Sequence, residues 1–302
     1  MSKTFSVVII GSGNVAEALA QACSEAWGVE LLAVVARNEE RGRHIAKLAD
    51  TEYIGDMGEA PEADFHIISV SDRAVAEVAE QLPEYENTIL LHTAGSVDMA
   101  SLGRERCGVL YPFQTFTASR KVDFSQVPLF VEGASEYITS QIEELAANLS
   151  QNCYRANQHR RREIHLTGVL ACNFVNALYT MAASRLESEE GLSFDVLKPL
   201  IIETAMKASQ VENPRSVQTG PAVRGDRATA ERHIKMLEKS PQVQEIYRLM
   251  NDYIFSNINK PDRTYAEFQR AHCSDQSLHL RCRWSYDRWR YHAYRRWNRL
   301  HT

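Results

Sequence analysis

The chain has 302 residues, 44% of them hydrophobic, and a formal net charge of −5 at pH 7. That is enough length for one large core or two smaller ones, so two domains are expected. No run of about 18 uninterrupted apolar residues occurs, and no basic region followed by a longer apolar stretch opens the chain, so the expectation is a soluble, cytoplasmic protein without a membrane partner. Cys23, Cys107, Cys153, Cys172, Cys273 and Cys282 are scattered without a Cys-x-x-Cys pair, which fits reduced thiols and argues against a disulfide framework or a metal site. Residues 270–302 hold eight Arg, no Lys and two Asp and sum to +6, leaving the other 269 residues at −11. An acidic body argues against nucleic acid as its partner.

In chain order, short apolar runs alternate with helical patterns. Strands are expected at 5–10, 29–36, 64–70 and 88–94, with helices at 14–26, 39–49 and 72–81 between them. Strands at 108–112 and 128–133, a helix at about 134–149 and a short strand near 152–156 follow. This alternation is the signature of βαβ units and a mostly parallel sheet. From about residue 158 the pattern is helical, with stretches at roughly 158–188, 193–210, 226–239 and 241–258 separated by turn signals. The fold class is therefore α/β: an N-terminal Rossmann-type doubly wound sheet over 1–156, an all-α C-terminal domain over 157–260, and an atypical segment at 261–302.

Gly11-Ser12-Gly13-Asn14-Val15-Ala16 follows the first strand and opens the first helix. In a G-x-G-x-x-A turn the first glycine permits the tight bend, the second lets backbone N–H groups approach a pyrophosphate, and the small third residue lets helix and strand pack. These residues are candidates for dinucleotide binding. At the end of the second strand, where an acid would bond the ribose hydroxyls of NAD, Arg37 and Asn38 stand instead. A guanidinium fork suits a 2′-phosphate, so NADP (NADPH) is the expected cofactor. Arg37, Arg41 and Arg43 also read as a solvated face. Ligands of open α/β sheets sit at the carboxyl ends of strands. Ser69, Val70, Ser71 and Thr93 are cofactor candidates on that ground and Ser96 is a catalytic one, although Ser71 and Asp72 also read as a helix cap.

Five segments, IIGSGNVA (9–16), LHTAGS (91–96), LYPFQTF (110–116), IHLTGVLACNFVNALY (164–179) and QTGPAVRGD (218–226), resemble bacterial Rossmann-like proteins that carry the C-terminal domain DUF2520. These belong to the wider clan of 6-phosphogluconate dehydrogenase-like and pyrroline-5-carboxylate reductase-like enzymes. The resemblance implies a NADP-binding oxidoreductase-like fold, often a homodimer through its helical domain, and supplies no substrate. Tyr111 departs from it, standing where a His-Pro-x-Gln-Thr-Phe segment is expected, and 261–302 have no counterpart in it.

His165, Val169, Cys172 and Asn173 are spaced by four, seven and eight residues, one stripe of a uniform α-helix. Related dehydrogenases place a Lys and an Asn on the corresponding helix, so the resemblance makes His165, in place of the Lys, and Asn173 candidate catalytic residues. An imidazole titrating near pH 6.5 suits proton donation as hydride arrives; a buried histidine anchoring the domains is the structural alternative. Cys172 reads as a core residue. In Thr219–Asp226, Asp226 is a plausible N-cap and Arg224 a candidate for binding an acidic group of the substrate. The segment 261–302 mixes Arg with aromatics and holds His272, Cys273, His279 and Cys282, but neither nucleic-acid-binding nor zinc-binding spacing is met. It reads as disordered or as out-of-frame translation. The functional expectation is an NADP-dependent oxidoreductase acting on a small polar C=O or C=N substrate held between the domains. A non-catalytic NADP-binding sensor or scaffold is the alternative.

Overall fold

Eight strands form one sheet: β1 (Phe5–Ile10), β2 (Val29–Val35), β3 (Glu52–Ile54), β4 (Phe65–Ile68), β5 (Ile89–His92), β6 (Cys107–Pro112), β7 (Leu129–Gly133) and β8 (Cys153–Arg155). Their order is β3-β2-β1-β4-β5-β6-β7-β8, parallel throughout except between β6 and β7. The computed structural model describes residues 4–118 and 120–257. The expectations for 261–302, with His272, Cys273, His279 and Cys282, lie outside the described residues. Seven strands were expected from the sequence; the eighth, β3, is a three-residue edge strand, too short to display a period.

The period of two along a strand divides the core into two layers. Val7 and Ile9 of β1 join Leu19 and Ala20 of α1 (Asn14–Glu25) and Ile142 and Leu145 of α4 (Glu136–Leu149) on one face. Val8 and Ile10 join Val75 and Val78 of α3 (Val75–Gln81) on the other. Strands covered on both faces are continuous apolar runs, which is why β1 reads VVII rather than as an alternation. Crossing over from one face to the other between β1 and β4 opens a crevice at the carboxyl ends of those strands. There Gly11 N–H donates to Val35 O at 2.9 Å and Ser69 N–H to Ile10 O at 2.7 Å, so the loops after β1, β2 and β4 converge.

A continuous helical stretch then runs through α5 (Gln158–Gly168), a π-helical turn at Val169–Asn173, and α6 (Phe174–Glu190). By length and composition these 33 residues could cross a membrane, a property that a test for uninterrupted apolar runs misses. The chain divides into two compact units between Ala182 and Ala183. The second holds α7 (Lys198–Ser209), α8 (Arg227–Met236) and α9 (Pro241–Asn257). Asp226 caps α8 as expected, its carboxylate accepting from Thr229 N–H at 3.0 Å. Neither α7 nor α9 has a buried residue; Leu200, Ile202 and Tyr253 are more than half exposed.

His92, the last residue of β5, is fully buried. Its Nδ1 accepts from Ala94 N–H at 3.2 Å. Burial first, and the positive charge of Arg161 second, pull its pKa from 6.5 to about 4. The ring is therefore neutral in the fold and charged in the unfolded chain at any pH between these values. Its contribution is complete above pH 6.5 and is lost as pH falls toward 4. Urea unfolding should show a loss from this residue of about 2 kcal/mol between pH 7 and pH 5, and His92→Asn should flatten the profile in that window. An unchanged slope in the variant would assign the acid sensitivity elsewhere.

Candidate functional site

The loop after β1 supplies two glycines with different reasons for being glycine. Gly11 has φ +132°, and a Cβ there would overlap the carbonyl oxygen of Ser69 and come within 2.8 Å of its carbonyl carbon. The protein itself excludes a side chain at that position. At Gly13 the nearest heavy atom to such a Cβ is Ser69 O at 4.0 Å, so nothing in the protein demands glycine. Gly13 is also the N-cap of α1 and offers no capping side chain. The first turn of α1 thus presents backbone N–H groups over an open position, the arrangement that receives a phosphate. Ser12 and Val15 are half-buried beside it and Ala16 is fully buried. Asn14 is exposed, its Nδ2 donating to Phe116 O at 3.1 Å, which ties the loop after β6 to the start of α1.

At the end of β2 the three arginines separate. Arg41 is held by Glu17 at 2.6 Å. Arg43 pairs with Glu39 at 2.8 Å and lies 4.8 Å from the Tyr53 ring centroid. Arg37 meets only an exposed carboxylate, Glu77, at 3.4 Å, with both side chains about 60% exposed; such a pair is weak in water. Asn38 accepts from Arg41 N–H at 3.0 Å and caps α2 (Glu39–Leu48), so its side-chain oxygen is engaged.

The ends of β4 and β5 carry the polar residues expected there. Ser69 is buried, and among the described residues its Oγ has no hydrogen-bond partner. A buried hydroxyl beside the Gly11 turn that lacks a partner is an unfilled half of a contact. Val70 is half-buried, with Cγ1 3.3 Å from where a Gly11 Cβ would lie. Ser71 precedes a short 3-10 turn at Asp72–Ala74 and makes no capping bond. Thr93 is turned inward, donating from N and Oγ1 to Ile68 O at 3.1 and 3.4 Å. Ser96 is half-buried, and its carbonyl accepts from Arg162 Nε at 3.2 Å. An open backbone cradle, an unpartnered serine and a loosely held arginine together fit a phosphorylated dinucleotide.

Helix α5 joins this edge of the sheet through Arg161, His165 and Gly168. The Arg161 guanidinium is wholly buried, ion-paired with Glu132 of β7, and donates to Ala156 O at 3.2 Å and Val97 O at 3.1 Å. One turn on, His165 Nδ1 lies 3.1 Å from the Tyr111 hydroxyl at the end of β6. A Cβ on Gly95 would come within 2.7 Å of the Tyr111 ring and 3.1 Å of His165 Nδ1, and one on Gly168 within 2.7 Å of Phe113. Burial, reinforced by the charge of Asp72, pushes Tyr111 up to about 12. Tyr111, Gly95 and Arg161 are therefore site residues that sequence reasoning missed. The departure from histidine at 111 was the available signal; Arg161 is masked in sequence by its charged neighbours Arg160 and Arg162.

The stripe expected from His165 through Val169, Cys172 and Asn173 assumes one uniform period. The π turn at Val169–Asn173 breaks that period, and the residues of α5 that pack against the sheet run from Arg161 through His165 to Gly168 instead. Cys172 is exposed, not a core residue, and Asn173 is exposed as well. In the second unit Arg224 is exposed on the loop before α8, near a cavity of about 400 Å³ lined by Ala222, Gly225, Asp226, Ala230, Asn251 and Phe255 among others.

Comparison with known proteins places this geometry in a family. Residues 127–254 match the model of a domain of unknown function, DUF2520, and residues 6–94 match that described as NADP oxidoreductase coenzyme F420-dependent. The crystal structure of "putative NADP oxidoreductase BF3122" from Bacteroides fragilis is 36% identical, with a TM-score of 0.78, and the match covers 85% of this chain and 100% of that one. Two more distant structures share the fold. Protein TM1727 of Thermotoga maritima is 19% identical with a TM-score of 0.65, over 82% of this chain and 96% of its own. The 1-pyrroline-5-carboxylate reductase of Streptococcus pyogenes is 13% identical with a TM-score of 0.55, over 84% and 99%. No curated protein matches the sequence. With its dinucleotide-type sheet and the helices that follow it, the chain belongs to the Rossmann-like and DUF2520 domain-containing family.

Proposed function

We propose that the protein is an NADP-dependent oxidoreductase that reduces, or forms by oxidation, a small polar C=O or C=N bond. The observation that carries this reading is the shared edge of the sheet. The bare N-terminus of α1 stands at the end of β1, and the Tyr111–His165 pair, 3.1 Å apart, stands at the end of β6. The Bacteroides fragilis relative's description as an NADP oxidoreductase supports it. Gly11, Ser12, Gly13 and the first turn of α1 would hold the pyrophosphate, Arg37 the 2′-phosphate, and Ser69 Oγ a polar group of the bound nucleotide. The nicotinamide, when bound, supplies or accepts hydride at the reacting carbon. His165 would hold a proton for the substrate's oxygen or nitrogen. Asn173 and Ser96 are assigned catalytic roles in this reading, and Arg224 the binding of an acidic group of the substrate.

The chain is read further as a homodimer through its helical part. Leu170, Phe174, Leu200, Ile202 and Tyr253 are each more than half exposed, far more apolar surface than an isolated helical domain leaves uncovered. These residues lie on three helical stretches, and α5 carries Arg160, Arg161, Arg162 and Glu163, which suits a second copy better than a lipid bilayer.

Two measurements test these assignments. Fluorescence titration should find NADPH bound at least tenfold more tightly than NADH, about 1.4 kcal/mol, with Arg37→Asp erasing most of the preference; equal wild-type affinities would remove Arg37 from the site. Light scattering on the eluting protein should give twice the mass of one chain, and a monomer without detergent would contradict the dimer.

A further inference from the structure

We propose that Tyr111 is a positioning residue that holds His165 in its Nε2–H tautomer, so that a neutral imidazole presents its donor edge away from the sheet. The inference rests on the reading of His165 as the proton donor and adds to it the state in which the donor is kept. Either partner of the Tyr111–His165 bond could supply the hydrogen, since both a phenol and an imidazole nitrogen donate or accept. Two observations decide between them.

The first is the surroundings of the phenol. Tyr111 is buried, between Phe113 and Phe130 at ring-centroid distances of 6.1 and 6.3 Å. Its hydroxyl bonds to His165 Nδ1. If Nδ1 carried the proton and donated it, the phenolic hydrogen would have no protein acceptor among the described residues, since His165 Nδ1 is its hydrogen-bond partner there. If the phenol donates, both groups are satisfied. The phenol keeps its proton up to about pH 12 and so remains a donor throughout the physiological range. The second observation is the packing at Gly95. No side chain fits there, because a Cβ would lie 2.7 Å from Tyr111 Cζ and 3.1 Å from His165 Nδ1. The backbone after β5 therefore closes over the Nδ1 edge and leaves Nε2 as the ring nitrogen on the opposite edge. Arg161, fixed one turn earlier, holds the helix that carries the ring.

The chemistry follows from this tautomer. As hydride forms the new C–H bond, the π pair of C=O passes to oxygen and that oxygen takes the Nε2 proton. The Tyr111 proton moves to Nδ1, which keeps the imidazole neutral; after product leaves, water returns a proton to Nε2 while Nδ1 gives its own back to the phenoxide, restoring the starting tautomer. A phenol this weakly acidic yields its proton only when a stronger base, such as an alkoxide, is being made behind it. The pair therefore serves a carbonyl or a neutral imine, whose reduction needs a proton, rather than a preformed iminium, whose reduction needs none.

Long-range proton–nitrogen correlation spectra of the full chain with ¹⁵N-labelled histidine test the tautomer directly. The His165 signals are identified by their loss in His165→Gln. In the wild type, Nδ1 should resonate as an unprotonated acceptor and Nε2 as a protonated nitrogen. In Tyr111→Phe both should move toward the averaged positions of an unconstrained ring, with the melting temperature retained. A protonated Nδ1 in the wild type overturns the proposal, as does a Tyr111→Phe spectrum identical to wild type. Should Tyr111→Phe not fold, the wild-type spectrum alone decides. The spectra report the tautomer whether or not His165 donates to substrate, so loss of the His165 reading in turnover assays remains distinguishable from loss of this one.

Discussion

A buried cation sets where helix α5 meets the sheet. Arg161 enters the fold with its charge fully removed from water, and it is held there by Glu132 on β7 and by the carbonyls of Ala156 and Val97. Each contact comes from a different segment: the strand next to β6, the link into α5, and the loop after β5. Removing Glu132 would leave the Arg161 charge buried and uncompensated, a loss of about 3–5 kcal/mol for a buried pair. Only a planar fork with five donors can reach three directions at once, so lysine would not substitute. His165 lies one helical turn beyond this anchor.

The other half of the site depends on backbone proximity rather than charge. The loop after β1 passes so close to the carbonyl of Ser69 that Gly11 has room for no side chain. That approach is set by the pairing of β1 with β4, where Ile10 lies opposite Ile68, and by the change of layer between them. Gly13, two residues on, faces open space. The two positions look identical in the motif, yet one glycine answers to the fold and at the other the protein has room for a side chain. Ser69 links them: its carbonyl limits Gly11, and its buried hydroxyl awaits a partner.

Much of this was legible in the sequence. Continuous apolar runs alternating with helices revealed the parallel, doubly covered sheet, because a strand buried on both faces cannot show polar alternation. Asp226 was recognisable as a helix cap from its place before α8. Contacts between residues distant in sequence were not legible. Nothing local marks Arg161 as buried between two exposed arginines, or ties Tyr111 to a histidine 54 positions away. The π turn escaped because apolar spacing through Val169–Asn173 is compatible with an uninterrupted α-helix. The Asn14 side chain donates to Phe116 O, a bond that spans 102 positions and that no local pattern announces.

We propose that nucleotide binding and proton delivery reside in separable residues along one edge of the sheet. The most direct test measures both in His165→Gln. NADPH affinity is followed by fluorescence, and turnover is followed by NADPH absorbance against short keto acids, aldehydes and cyclic imines. Affinity should be unchanged and turnover slowed by roughly 10²–10⁴-fold. A variant that melts earlier but turns over at the wild-type rate per folded molecule would make His165 a structural residue and contradict the account.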